Sequence, residues 1–241
     1  MMRKSLIFFC LFSTLGLLGQ QYEGVFIEKK DVDADNKLFV SGRSFMYIVT
    51  TTIPGEDIPD QVTFTVLDVK QSKRTNKNQT EVVISYDPDN GRYQATGIVE
   101  NAKNLWLHPP RSSFFEVLET CPFPYVKFPI KDGDVWHEKL KVGDEWSQGK
   151  WTGNLLFEIS YKVVEEKVVD TEKIKTSFFA IEAEAKSSVG TSKAKFLFNE
   201  NMGFTIIDFT TLEGRRIHFR LDQTIDGESI KSLEDFILMK R

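Results

Sequence analysis

The sequence predicts an all-β protein. It reads as a curved antiparallel sheet, a half-barrel or open barrel, with an irregular Pro- and aromatic-rich segment packed on it and a short C-terminal helix. Three observations predict this. Long stretches alternate apolar and polar residues with a period of two, which marks strands with one buried face. Turn-forming clusters separate those stretches at short intervals, so neighbouring strands run antiparallel. Between the flanks, residues 106–151 hold all four tryptophans (Trp106, Trp136, Trp146, Trp151) and five of the eight prolines (Pro109, Pro110, Pro122, Pro124, Pro129). Proline fixes φ and lacks an N–H, so this middle does not read as a central strand.

Residues 1–20 read as a signal peptide cleaved near residue 20. Arg3 and Lys4 precede an apolar run over 5–18, and Gly19-Gln20-Gln21 follows it. The run is too short and wrongly flanked for a comfortable span, so no transmembrane segment is expected in the mature chain. Cys10 has Phe8 and Phe9 before it. A lipoprotein signal places a small residue there, so lipidation is not expected. Cleavage leaves Cys121 without an intrachain partner, and the fold must rest on its apolar core. Cys121 itself reads as a buried small hydrophobe. Loss of Arg3 and Lys4 takes the formal charge from −4 to −6, which argues against a nucleic-acid partner. Residues 21–241 read as a single exported β domain. The alternative is a small N-terminal subdomain over 21–100 followed by a half-barrel over 101–241.

The elements follow in order. Residues 21–27 are a candidate opening strand. Asp31 begins what resembles a calcium loop, but its twelfth position is Gly42, where a bidentate Glu is needed, so it reads as a solvated acidic turn. Residues 44–50 form a strand, 54–59 a loop, and 62–69 a strand with Val62, Phe64 and Val66 on one face. Residues 71–80 are polar. Residues 81–86 and 92–99 form a hairpin across Asn90-Gly91, a strong turn signal. Val82, Ile84 and Tyr86 share one of its faces, and Tyr93, Ala95 and Val99 share a face of the partner strand. Gly133-Asp134-Val135-Trp136 recurs as Gly143-Asp144-Glu145-Trp146. A Gly-Asp turn followed by an inward aromatic suits successive short strands.

Beyond the middle, Leu155, Phe157, Ile159, Tyr161 and Val163 alternate with polar residues. Phe179 to Ala185, Ala194 to Phe198, Phe204 to Phe209 and Ile217 to Leu221 continue as a meander. A turn centred between Val189 and Gly190 sets Ala183 opposite Phe196 and Glu184 opposite Lys195. The last hairpin sets Ile207 opposite Ile217 and Asp208 opposite Arg216. A turn at 199–202 sets Phe198 opposite Phe204, which leaves the inward face out of step by one residue with the last hairpin. A one-residue slip flips every side chain, so a β-bulge or sharp bend is expected near Ile206-Ile207. In the tail, Ile230, Leu233, Phe236 and Ile237 fit a helical face, and Phe236 to Met239 fit an edge strand as the alternative.

The ending FNENMGFTIIDFTTLEGRRIHFRL is similar to the closing strands of uncharacterised exported β-proteins of Gram-negative bacteria. There a Gly-Phe strand, a turn and a hydrophobic strand complete a curved half-barrel. The Trp-rich centre with its Gly-x-x-Trp turns resembles the same group, and the resemblance covers residues 100–223. It implies that fold and an envelope location, and it brings no catalytic residues.

No His-x-x-x-His, Cys-x-x-Cys or Gly-x-Ser-x-Gly pattern occurs. No catalytic residue, metal site or cofactor is therefore assigned. The expected function is that of a non-enzymatic envelope protein, periplasmic or extracellular, that binds a lipid or other apolar or amphipathic envelope component. One alternative is a structural or protein-interaction module with another envelope protein as partner. The other is a carbohydrate-binding or carbohydrate-acting protein. The candidate ligand-binding residues are Trp106, Phe123, Tyr125, Trp136, Trp146 and Trp151, because stacked aromatics suit sugar rings and apolar ligands. Arg216, His218 and Arg220 form a candidate basic surface, joined by Lys193 and Lys195.

Overall fold

The structure is a computed structural model that describes residues 36–52, 60–67, 79–87, 92–170, 175–230 and 236. The candidate opening strand, the acidic turn up to Asp35, the loop over 54–59, most of the polar stretch over 71–80 and the Asn90-Gly91 turn lie outside the described residues.

Among the described residues, twelve strands form one sheet: β1 (Arg43–Thr51), β2 (Gln61–Val66), β3 (Thr80–Asp87), β4 (Arg92–Glu100), β5 (Asn104–Leu107), β6 (Tyr125–Lys127), β7 (Val135–Val142), β8 (Leu155–Asp170), β9 (Lys175–Ser187), β10 (Gly190–Asn199), β11 (Gly203–Thr210) and β12 (Arg216–Asp226). The order is β6-β5-β4-β3-β2-β1-β12-β11-β10-β9-β8-β7, and β1 pairs antiparallel with β12. From β1, mid-sheet, the strands run outward to β6, cross to the opposite edge at β7 and return. Short turns dictate this meander, because they can join only antiparallel neighbours. The sheet curls into a nearly closed barrel, and its two edges, β6 and β7, meet at a seam.

Alternation sets which side chains fill the curve. Phe157, Ile159, Tyr161 and Val163 are buried, while Leu156, Glu158, Lys162 and Val164 are exposed. Phe179, Ile181, Ala183 and Ala185 are buried on β9, as are Ala194, Phe196 and Phe198 on β10. Ile217 and Phe219 are buried on β12, with Leu221 half-buried. Burying each large apolar side chain contributes about 1.5–3 kcal/mol.

The middle stretch is less irregular than its prolines suggest. It supplies β6, β7 and the end of β5, all at the sheet edges, where proline-flanked short strands are tolerated. Its truly irregular part is a 3₁₀ helix, Ser113–Thr120, which runs inside the curve. The Phe115 ring lies 5.5 Å from Tyr86 on β3 and 5.6 Å from Phe219 on β12. Ser192 of β10 donates its hydroxyl to the Thr120 carbonyl at 2.5 Å. Phe115, Leu118 and Cys121 are buried, so the segment plugs the barrel with its own apolar side chains.

Several expectations need correction. The β9–β10 turn is centred one residue nearer β9 than its composition suggests, which shifts the register by two. Ser187 faces Gly190, Ala183 faces Ala194, and Phe196 faces Ile181. Glu184 therefore stands opposite Lys193, and Lys195 opposite Glu182. The last hairpin is also offset by two, with Ile207 opposite Phe219 and Asp208 opposite His218. An offset of two keeps every face unchanged, so the hydrophobic pattern cannot detect it.

On β4 the inward positions are Gln94, Thr96 and Ile98, since Gln94 faces inward-pointing Ile84 and Thr96 faces Val82. Tyr93 instead joins Leu67, Val83, Ile230 and Phe236 in a second apolar cluster. Phe236, in helical conformation, meets Tyr93 edge-on at 5.3 Å. Ile230 and Phe236 therefore cover an apolar patch on the outer face, which makes both faces of the β3–β4 hairpin look core-facing in sequence. The second Gly-Asp repeat also departs from expectation: Asp144–Trp146 is a 3₁₀ turn, not a strand entry.

The expected bulge is present. Phe198 faces Phe204 and Leu197 faces Ile206, which leaves Thr205 as the extra residue. Thr205 Oγ1 donates to the Leu197 carbonyl at 3.1 Å. Similar register shifts occur at Met46/Tyr47, Ser85/Asp87 and Val163/Glu165, and a bulge bends its strand and increases the local twist.

Candidate functional site

The seam gathers four of the six candidate aromatic residues. Trp136 follows the Gly133-Asp134 turn and points inward from β7, where its ring stacks on Tyr161 of β8 at 5.4 Å and 5°. Tyr125 of β6 meets Trp136 at 6.1 Å and Tyr161 at 5.6 Å, both edge-on. Trp106 of β5 lies 5.6 Å from Phe123, and His108 lies 4.7 Å from Phe123. Edge-on and stacked pairs of this kind add about 0.5–1.5 kcal/mol each beyond burial. Trp146 and Trp151 are placed elsewhere. Both are half-buried against the core, and Trp151 meets Phe157 at 6.4 Å.

The seam also holds a polar group that the sequence reading left unassigned. Glu138, two residues after Trp136, shares its inward face and is buried. Tyr161 Oη lies 2.9 Å from Glu138 Oε2 and 3.1 Å from the Phe123 carbonyl. Burial pushes the Glu138 carboxyl up to about 7, against the lowering influence of Tyr161, the Trp106 indole and Lys127. The Trp106 indole is near enough to favour the carboxylate, yet its Nε1 makes no hydrogen bond of ordinary geometry, and neither does Trp136 Nε1. Burial and the adjacent Glu138 raise the Tyr161 phenol well above its ordinary value.

A second buried carboxyl sits at the plug. Glu119 Oε1 lies 3.4 Å from His108 Nε2, and the other ring nitrogen of His108 is 2.8 Å from the Pro109 carbonyl. Burial raises Glu119 to about 7; Arg111 works against the shift and Glu145 with it. Cys121, next along, is fully buried and its thiol is pushed up to about 12. The signal for Glu138 was available in the sequence, because alternation through Trp136, Glu138, Leu140 and Val142 places a carboxyl on an apolar face. Glu119 lies in a 3₁₀ segment, where period-two reading has no purchase.

The basic stripe lies on the outer face of β12 and is largely neutralised. Arg216 donates to Asp208 at 2.6 Å, Arg220 lies 3.7 Å from Asp222, and His218 stands opposite Asp208. Lys193 and Lys195 lie 3.5 Å from Glu184 and 2.7 Å from Glu182 respectively. Such exposed pairs contribute about 0–1 kcal/mol. Among the described residues, no group of three or more His, Cys, Asp and Glu side chains is arranged to hold a metal ion. A cleft of about 500 Å³ opens between Leu38, Glu100, Phe128 and Asn201. Glu100 there accepts the backbone N–H groups of Lys37, Leu38 and Phe39.

No family model and no curated protein matches the chain. Solved structures do show similarity. The hypothetical lipoprotein YmcC of Escherichia coli K12 matches at 11% identity and a TM-score of 0.34, over 80% of this chain and 90% of that one. A chain of Parabacteroides distasonis described as a lipoprotein matches at 9% identity and 0.40, over 78% and 97%. An exported protein of Bacteroides fragilis, described as having a YmcC-like fold, matches at 14% identity and 0.37, over 78% and 97%. All three are described as lipoproteins or exported proteins. At these identities and TM-scores the likeness fixes neither a shared family nor a shared activity.

Proposed function

We propose that the chain is an exported, non-catalytic interaction module of the cell envelope that binds another envelope protein through its surface and keeps its interior filled. One observation carries this reading: the 3₁₀ segment places Phe115, Leu118 and Cys121 in the curve of the sheet, all buried, where an apolar ligand would otherwise sit. The aromatic segment is thus the stuffing of the barrel, and its rings at the seam contact one another. The three histidines are spread over the end of β5, β7 and β12, which also favours binding over turnover. Export rests on the basic, apolar and small-residue order of residues 1–20.

Native mass spectrometry of the protein purified from its own host tests the reading. The expected result is a mass equal to the mature polypeptide, beginning near Gln20 to Tyr22. A stoichiometric lipid or other apolar adduct that survives gentle ionisation would overturn it in favour of an apolar carrier.

A further inference from the structure

We propose that Glu138 is a proton-dependent latch across the seam: protonated, it ties β7–β8 to β5–β6, and ionised, it releases that edge. The seam differs from every other strand junction in the sheet. Among the described residues no backbone ladder joins β6 to β7, so the join is made by side chains and by their contacts to backbone. The polar part of that join runs from Glu138 through Tyr161 to the carbonyl of Phe123.

A count of protons fixes the state of the closed form. A phenol has one proton to donate, and two acceptors lie within hydrogen-bond distance of Tyr161 Oη. If Glu138 is ionised, Tyr161 can serve only one of them well. If Glu138 carries a proton, it donates to Tyr161 Oη and Tyr161 donates to the Phe123 carbonyl. Both contacts are then satisfied, and no charge is buried. The carboxyl raised to about 7 by burial agrees with this count.

The groups that face Glu138 are few. Tyr161 approaches from β8, the Trp106 indole from β5, and Lys127 from β6. Lys127 also lies over the Tyr125 ring, 6.0 Å from its centroid. The positive charge of Lys127 lowers the carboxyl, but by less than burial raises it. The Trp136 indole N–H is buried at the seam without a hydrogen-bond partner, and that of Trp106 makes none of ordinary geometry. The seam therefore holds buried polar groups that are poorly satisfied, and a charge placed there meets no second backbone ladder to hold the edges.

Hydrogen exchange of the mature chain tests the latch, with peptides from β6 and β7 compared with β10 and β11 at about pH 5.5 and about pH 8.5, after correction for intrinsic rates. The wild type is expected to lose protection at the seam about tenfold or more at the higher pH, while β10 and β11 keep theirs. Glu138→Gln is neutral throughout and still donates to Tyr161, so it should hold its seam protection at both pH values. Glu119→Gln keeps Glu138, Tyr161 and the Phe123 carbonyl, so it should keep the wild-type difference between the seam and β10–β11. Wild-type protection that does not change with pH would overturn the proposal, as would a wild-type response in Glu138→Gln or its loss in Glu119→Gln. If Glu138→Gln does not fold, carboxyl NMR of the wild type decides: a Glu138 resonance with contacts to the Tyr161 ring should titrate near 7, and one already ionised at about pH 5.5 would sink the latch.

Discussion

The ring of Phe115 lies 5.6 Å from that of Phe219, so a residue of the Pro-rich middle packs directly on the last strand of the sheet. The contact makes the plug part of the core. Phe115→Ala removes a buried aromatic and leaves a cavity, at a cost of about 3–5 kcal/mol. Phe157→Ala and Phe196→Ala should cost as much, since both side chains are fully buried. Against a total stability of about 5–15 kcal/mol, each variant should unfold at markedly lower urea and express poorly. Urea titration followed by tryptophan fluorescence measures this. A cost below about 1 kcal/mol for Phe115→Ala, with the other two variants as expected, would place the 3₁₀ segment outside the core.

Cys121 reports on the same plug. Its thiol is fully buried and pushed up to about 12 by burial, with Ser192 pulling the other way. The thiolate is the reactive form, so native protein should be inert to a thiol reagent at about pH 8 and should react only as fast as it unfolds. Labelling at the rate of a free cysteine, with the fold intact by circular dichroism, would show that the plug leaves the barrel in the native state.

Glu119 gives stability a pH dependence whose sign follows from its direction of shift. The folded state raises the carboxyl from 4.5 to about 7, so the native protein holds a proton that the unfolded chain has released. The benefit is complete below the unfolded value, is lost as pH rises from about 4.5 to about 7, and changes little above that. Glu119→Gln removes this loss. It should be more stable relative to wild type at pH 8 than at pH 5, by on the order of 1–3 kcal/mol. Thermal melts of both proteins at the two pH values test it, and an equal difference at both would show that Glu119 does not titrate in this range.

The strand faces were legible wherever one face is wet. Phe157, Phe196 and Ile217 could be placed inward because their neighbours Glu158, Lys195 and Arg216 are polar. β4 defeated the same logic, because Phe236 returns from the far end of the chain to cover Tyr93. No local pattern announces that cover. Register was harder than face, since a shift of two residues moves Glu184 from Lys195 to Lys193 without moving a single apolar side chain. Of the six aromatics picked as a site, Trp106, Phe123, Tyr125 and Trp136 converge because β5, β6 and β7 bring the two sheet edges together. Their convergence is tertiary, and composition alone could not separate them from Trp146 and Trp151.

The Thr205 bulge offers the sharpest test of the architecture. Phe204 faces Phe198, and Ile206 faces Leu197, so Thr205 occupies no rung of the ladder. Phe204, Ile207 and Phe209 are all buried, and the bulge is what reconciles the even and odd positions. Deleting Thr205 leaves both flanking pairs and all three inward side chains where they are. It removes only a local bend and the 3.1 Å hydrogen bond to the Leu197 carbonyl, worth about 0.5–1.5 kcal/mol. Deleting Asp208 instead shifts Phe209 to the outer face or forces the β11–β12 ladder to slip, and it also removes the partner of Arg216. A one-residue slip exposes a strand's buried set, so this second deletion should abolish cooperative unfolding or the fold itself. The two deletions shorten the same strand by the same length, and their place in the ladder is the main difference between them. Urea unfolding should find the Thr205 deletion folded and the Asp208 deletion not; equal tolerance of both would mean that β11 is not held in this register.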